Sequence, residues 1–108
     1  MDIQHYCSPE GRDVVIKWLR AIDDVRAQGA VLARIARLEA GNFGDCKSVG
    51  GGVWELRIHV GPGYRLYYAQ IDRLVVLLLG GGDKRGQARD IRVAQIRLAD
   101  FRSRRSVQ

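Results

Sequence analysis

The sequence has few cysteines, few prolines and no long hydrophobic run. Its 108 residues include two cysteines, Cys7 and Cys46, which are too few for a disulfide framework, so we expect free thiols in a reducing compartment. The longest fully apolar run, residues 74–79, is far shorter than the roughly 20 residues that a membrane-spanning helix needs. The N-terminus lacks the pattern of a secretory signal peptide. These absences predict a cytoplasmic protein without a membrane segment.

Common catalytic and metal-binding motifs are also missing. The glycine-rich segments at residues 49–53 and 80–86 have neither the Walker-type spacing nor the strand-and-helix context of a dinucleotide-binding loop. The two histidines and two cysteines do not have the spacing of zinc ligands. No G-x-S-x-G or H-E-x-x-H motif is present. We therefore expect no metal and no cofactor.

Positive charge is abundant and unevenly distributed. The formal net charge is +6, and all of it lies in residues 44–108, because residues 1–43 contain equal numbers of acidic and basic side chains. Arginine outnumbers lysine by 15 to 3, and a guanidinium group can bind a phosphate through two hydrogen bonds. This pattern favours an anionic partner, either nucleic acid or an acidic protein segment. A GC-rich genome would give the same arginine excess without functional meaning.

Helical spacing and capping residues predict two helices in the first half of the chain, after a short strand at residues 2–6. Ser8 and Pro9 form a typical helix start, with Ser8 as the N-cap and Pro9 at the first helical position. The aspartates at residues 23–24 can cap a second helix. The Gly-Asn pair at residues 41–42 would end that helix in a left-handed conformation.

The later residues predict a sheet followed by a last helix. Apolar and polar residues alternate in residues 53–60 and 64–69, which indicates two antiparallel strands with one solvated face. Residues 74–79 fit a central strand that the following glycines end. Asp83 can cap the last helix, and we expect residues 102–108 to be a frayed basic tail. With no internal repeat or linker, residues 1–108 are expected to form a single α+β domain.

The two alternating strands predict a patch that we call the cation column, formed by Arg57, His59, Arg65 and Tyr67. With residues 61–63 as the turn, His59 lies opposite Arg65 and Arg57 opposite Tyr67, and such partners are ~5 Å apart on one face. The helices would cover the other face, which includes Trp54, and leave the cation column open. Like charges opposite each other are unfavourable, so this arrangement favours an anionic ligand.

The residue types in the cation column also suit a reaction. Cleavage of RNA by its own 2′-hydroxyl needs a base, an acid and cations for the charge that develops on phosphorus. His59 titrates near neutrality, and Tyr67 can stack on a base or donate a proton. A plain alternative stays open: exposed cations on a strand serve solubility, and Glu55 on the same face pairs with one of the arginines.

Two long segments carry a family resemblance. The run RIARLEAGNFGDCKSVGGGVWELRIHVGPGYRLYY and the later run LLLGGGDKRGQARDIRVA resemble the phage-Gp49-like, HigB-like toxins of the RelE/ParE superfamily, often labelled addiction-module killer proteins. The resemblance covers roughly residues 14–101. It implies a short strand, two N-terminal helices, an antiparallel sheet with a hairpin and a C-terminal helix.

The resemblance also implies an activity and its residues. Relatives with ribonuclease activity cleave mRNA on the translating ribosome without a metal, through basic residues on the exposed sheet face. By position, Arg57 and Arg65 match the residues that stabilise the phosphate, and Lys84 matches a second phosphate contact. Lys47 matches a further basic position that binds the RNA backbone, and the neighbouring Arg85 is grouped with these RNA-binding residues.

The sequence departs from this family pattern in one respect. Some relatives place a catalytic tyrosine near the C-terminus, whereas the last predicted helix here has Phe101 as its only aromatic residue. His59 and Tyr67 therefore remain as candidates for the general acid or base.

The resemblance further implies a type II toxin–antitoxin module. The partner would be a helix-turn-helix antitoxin, which makes the contacts to promoter DNA and is attracted by the positive charge of the toxin. Two other functions stay open: a ParE-like poison of DNA gyrase, which binds without cutting, and a non-catalytic binding module retained with its antitoxin.

Overall fold

The computed structural model describes residues 1–106, and the side chains as far as Arg105. Strands occupy the start and the middle of the chain, and helices follow the first strand and the last one. The elements in chain order are β1 (Asp2–His5), α1 (Val14–Ala21), α2 (Val25–Glu39), β2 (Cys46–Gly50), β3 (Val53–Ile58), β4 (Tyr64–Asp72), β5 (Val75–Asp83), a short 3₁₀ helix (Lys84–Gly86) and α3 (Gln87–Ser106).

The five strands form one mixed sheet in the order β1-β5-β4-β3-β2. The α+β class is thus confirmed, and so is the antiparallel pairing of β3, β4 and β5. β1 extends this sheet by pairing with β5 in the parallel direction, which the sequence did not predict. The edge strand β2 was not predicted. Its residues are mostly exposed and show no alternation of apolar and polar side chains, so the sequence carries no strand signal there.

Helices cover both faces of the sheet. α1 and α2 pack on one face, where the core includes Leu56, Leu66 and Leu78. α3 packs on the other face through Ala94 and Leu98. The sequence predicts that this second face stays open, but α3 covers part of it. The C-terminal helix thereby buries the second side of the central strands.

Helix capping follows the predictions at α2 but not at α1. Asp24 is the N-cap of α2, with its carboxylate 2.9 Å from the Arg26 amide. The predicted cap at Ser8 and Pro9 is wrong: Asp13 caps α1 and accepts hydrogen bonds from two amides of its first turn, each 3.0 Å long. Ser8 instead closes a turn in front of the helix by accepting from the Arg12 amide.

The predicted end of the central strand at residues 80–82 is also wrong. β5 continues through these glycines to Asp83, because their missing side chains leave room for side chains from the helices. A β-carbon on Gly81 would lie 2.5 Å from the ring of Trp18 in α1, and one on Gly82 would collide with Asp90 of α3. The glycines are contact points within the strand rather than its terminator.

The last helix begins and ends later than predicted. Asp83 caps the 3₁₀ helix, and α3 starts at Gln87. Residues 102–106, expected to be frayed, continue α3. Residues 107–108 of that predicted tail lie outside the described part of the chain. No helix within residues 1–106 is long and apolar enough to cross a membrane.

Candidate functional site

A cleft at the loop end of the β3–β4 hairpin brings the predicted cations together. It has a volume of about 440 Å³ and includes Arg57, His59, Arg65 and Lys84 in its lining. Lys84 reaches this position because its amide donates to the carbonyl of Gly63 in the hairpin turn, 3.2 Å away. We call this feature the cation cleft.

The hairpin register differs from the prediction by two residues. Arg57 pairs with Arg65, and Ile58 pairs with Tyr64, so the loop spans residues 59–63 and not only residues 61–63. Because side chains alternate with a period of two, this shift leaves every residue on its predicted face but changes its partner. His59 lies in the loop and not opposite Arg65, and the two arginines face each other directly.

A buried carboxylate lies beneath the two arginines. The side chain of Glu55 has no solvent exposure, and its Oε1 lies 3.1 Å from Nε of Arg57 and 3.5 Å from Nε of Arg65. Its Oε2 accepts a 2.8 Å hydrogen bond from Gln87 at the start of α3. Burial raises the pKa of Glu55, but the bonds from Gln87 and Arg57 and the charge of Arg65 outweigh it, so the pKa lies below its usual value. The carboxylate is ionised at neutral pH.

Tyr67 does not belong to the cation cleft. Its side chain is only 1% exposed, within the core that Ala94 and Leu98 of α3 share. Burial, followed by the charge of Glu55, raises the pKa of the Tyr67 hydroxyl well above its usual value. The expectation that Tyr67 lies exposed on the open face is therefore wrong, because α3 covers the ring.

His59 is the exposed imidazole of the cleft. Its side chain is 74% exposed, and its Nε2 lies 2.8 Å from Oδ2 of Asp45. This hydrogen bond is the main reason that the pKa of Asp45 lies below its usual value. With Nε2 directed at Asp45, the Nδ1 atom is the nitrogen that remains for a ligand.

Arg34 on α2 anchors the backbone behind the cleft. Its Nη1 donates to the carbonyl of Arg57 at 2.9 Å, and its Nη2 donates to the carbonyl of Phe43 at 3.2 Å. The Arg57 amide in turn donates to the carbonyl of Asp45 at 3.1 Å. The loop that carries Asp45 and the strand that carries Arg57 are thus held in one arrangement.

Two predicted RNA-binding residues lie outside the cation cleft. Lys47 on β2 is exposed and lies opposite Glu55 in the β2–β3 register, two strands away from Tyr67 on β4. Arg85 is 88% exposed, forms an ion pair with Asp83 at 3.0 Å, and lines a separate cleft of about 940 Å³ beside Trp18. Within residues 1–106, no three histidine, cysteine or acidic side chains cluster in a way that could hold a metal ion.

Sequence reasoning missed three residues that shape the site, namely Arg34, Asp45 and Gln87. Gln87 lies 32 residues from Glu55 along the chain, and Asp45 lies 14 residues from His59. Nothing in the local sequence distinguishes these residues from other polar surface positions. Glu55 was expected to pair with one arginine, whereas it pairs with both.

Comparison with known proteins identifies the family of the chain. Residues 17–104 match the family model described as Phage derived protein Gp49-like (DUF891). The chain belongs to this family, whose members are toxins of toxin–antitoxin modules of the RelE/HigB type. A protein of Haemophilus influenzae, itself described as uncharacterized, is 48% identical over 79 residues, which cover 73% of this chain and 80% of that protein. Membership in this family implies a cognate antitoxin as partner.

Proposed function

We propose that this chain is the toxin of a type II module and cleaves mRNA on the translating ribosome without a metal. The observation that carries the proposal is the cation cleft, where three cationic side chains and a histidine line about 440 Å³. In this proposal residues 1–108 act as a single RelE/ParE-like toxin domain in the cytoplasm. The helix-turn-helix antitoxin inhibits the toxin and makes the contacts to promoter DNA.

The charge of the cleft suits a phosphate group. Glu55 compensates one of the two arginines, so that Arg57, Arg65 and Lys84 together leave an excess of positive charge. Guanidinium groups bind phosphate oxygens through paired hydrogen bonds and stabilise the additional charge of the transition state. Lys47 and Arg85 lie further out and would contact the RNA backbone on either side.

The chemistry proceeds through the 2′-hydroxyl of the RNA. A base removes the hydroxyl proton, the 2′-oxygen forms a bond to phosphorus, and the bond to the 5′-oxygen breaks as that oxygen takes up a proton. The products are a 2′,3′-cyclic phosphate and a 5′-hydroxyl. His59 is the exposed acid/base group of the cleft, and the proposal gives it one of the two proton transfers.

The test is expression of the full chain from a tightly controlled promoter, with 5′ ends mapped in a translated reporter mRNA. We expect cuts within the reading frame that disappear when the start codon is blocked. Arg57→Ala should abolish the cuts, and Arg73→Ala, an exposed arginine in the β4–β5 turn, should retain them. Circular dichroism of both variants checks that they are folded.

One observation favours a binding mode without catalysis. With Tyr67 buried, His59 is the one predicted acid/base residue that remains in the cleft. A gyrase poison needs no acid or base at all. Growth arrest with induced DNA damage and intact mRNA would support that function in place of the nuclease. Absence of growth arrest would leave a binding module that is retained with its antitoxin.

A further inference from the structure

Glu55 occupies an unusual position for a carboxylate. It lies in the middle of β3 with no solvent exposure, below two arginines that face each other across the β3–β4 pair. Its two oxygens are divided between the partners: Oε1 faces both arginine Nε atoms, and Oε2 accepts from Gln87. The carboxylate is thereby fixed from the sheet and from α3 together.

This arrangement determines which guanidinium atoms are available to a ligand. Both arginines face Glu55 with Nε: Arg57 donates a hydrogen bond to Oε1, and Arg65 forms an ion pair at 3.5 Å without a hydrogen bond. Among residues 1–106, neither arginine donates a hydrogen bond through its Nη atoms. The side chain of Arg65 is 11% exposed and that of Arg57 is 35% exposed, and both residues line the cation cleft. Each terminal pair of Nη groups is left for phosphate oxygens.

Stability alone does not account for a buried carboxylate here. Placing an ion in the interior carries a desolvation cost, and well-packed apolar residues commonly give equal or greater stability. A carboxylate below the arginines also weakens the attraction between the cleft and RNA. The desolvation of Glu55 and the weaker attraction for RNA are explained if activity depends more on the orientation of the arginines than on the strength of RNA binding.

We propose that Glu55 is the positioning residue of the cation cleft, which sets the orientation of Arg57 and Arg65 for the scissile phosphate while itself remaining out of contact with RNA. Gln87 supports this role, because its side chain donates a hydrogen bond to the second carboxylate oxygen of Glu55. The inference rests on the proposed nuclease function, and it assigns to this site a residue that acts only through its neighbours.

Glu55→Gln separates positioning from charge. The substitution keeps the size of the side chain and removes a negative charge close to the bound phosphate, so RNA affinity should stay equal or increase. Cleavage at saturating ribosome-bound mRNA should fall by about a hundredfold, since small misplacements of catalytic groups have effects of this size. Unchanged cleavage by the folded variant would overturn the inference, as would a loss of affinity without a loss in the cleavage rate.

A second variant covers the case in which Glu55→Gln does not fold. Gln87→Ala keeps the carboxylate and removes one of its anchors, so we expect a smaller loss in cleavage rate, about tenfold, with RNA affinity unchanged. Gln95→Ala, on the same helix but bonded to the Val49 carbonyl, is the matched control and should cleave normally. Equal cleavage by Gln87→Ala and the wild-type protein would contradict the role of Glu55.

NMR of the arginine Nε–H groups gives a readout that does not depend on cleavage. The Nε–H signals of Arg57 and Arg65 should both move in Glu55→Gln and in Gln87→Ala. An uncleavable 2′-deoxy oligonucleotide should shift the Nη signals of the wild-type protein and leave its Nε–H signals in place. Release of either Nε–H group by the oligonucleotide would refute the positioning role even if the nuclease is confirmed. If these NMR shifts occur as expected but the protein cuts no mRNA, the nuclease function is refuted and the positioning of the arginines by Glu55 is not.

Discussion

Arg34 and Arg57, 23 residues apart, are joined by a 2.9 Å hydrogen bond from the Nη1 atom of Arg34 to the carbonyl of Arg57. Because Arg34 also binds the Phe43 carbonyl, one side chain of α2 fixes both the loop before β2 and the end of β3. A β-carbon on Gly44 would lie 2.5 Å from this guanidinium, so the loop passes close to it. The backbone of the cation cleft is thus supported from the helix on the opposite face of the sheet.

Replacement of Arg34 should therefore destabilise the protein. Arg34→Met retains much of the side-chain volume but leaves two partly buried carbonyl groups without their donors, which we expect to lower the free energy of unfolding by about 1–3 kcal/mol. Urea denaturation measures the change, with Arg37→Met on the same helix as the exposed control. An unchanged urea midpoint would show that the two hydrogen bonds contribute nothing.

The ionised state of Glu55 predicts a pH dependence of stability. Its pKa in the folded protein lies below the usual 4.5, so the folded state binds a proton less readily than the unfolded state. The resulting stabilisation is present above pH 4.5 and is lost as the pH falls through the folded-state pKa. We expect urea midpoints to fall on acidification below pH 4.5, and to fall less in Glu55→Gln. If the urea midpoint falls equally in both proteins on acidification, other carboxylates cause the pH dependence of stability.

The contact between Gly81 and Trp18 should be sensitive to a single methyl group. Gly81→Ala would place its β-carbon 2.5 Å from the ring, and we expect a destabilisation of about 1–3 kcal/mol from overpacking. Gly29→Ala in α2 is the matched control, because no atom lies within 4 Å of the added carbon, and it should stabilise the protein by about 0.5–1 kcal/mol. Thermal unfolding of both variants checks the two signs, and a neutral Gly81→Ala would indicate that Trp18 moves freely.

The buried position of Tyr67 predicts that its hydroxyl is dispensable. The hydroxyl lies in the interior without a well-formed hydrogen bond among the described residues, so its removal in Tyr67→Phe should change the free energy of unfolding by no more than about 0.5 kcal/mol. Growth arrest and mRNA cleavage should also match the wild-type protein. If Tyr67→Phe is folded and inactive, then α3 must move aside during the reaction and Tyr67 has a direct role.

Hydrophobic periodicity was sufficient to predict most of the elements. Both N-terminal helices, the β3–β4 hairpin and the last helix are visible in the spacing of apolar residues, and the short strand at the start was also predicted. Two errors have local causes. Ser8 and Asp13 are both good N-caps, and the chain uses the second. Three glycines in a row suggest the end of a strand, whereas here they accept side chains from two helices.

The arrangement of the site was less accessible from the sequence. The grouping of Arg57, Arg65 and Lys84 followed from strand alternation and the family resemblance, and the cleft brings these residues together. The hairpin register depends on the loop conformation, with Gly61 and Gly63 both at positive φ, and a two-residue shift leaves the hydrophobic pattern unchanged. The burial of Tyr67 depends on how α3 packs on the sheet, and the local sequence around Tyr67 gives no indication of that packing.

The parallel pairing of β1 with β5 has a consequence for the order of events during synthesis. The first strand finds its partner only when residues 75–78 have been made, and Glu55 receives its second hydrogen bond only when α3 has begun. Domains fold as units, and contacts between distant segments form late. Glu55 and the two arginines above it therefore reach the arrangement seen in the cation cleft only after residue 87 has been synthesised.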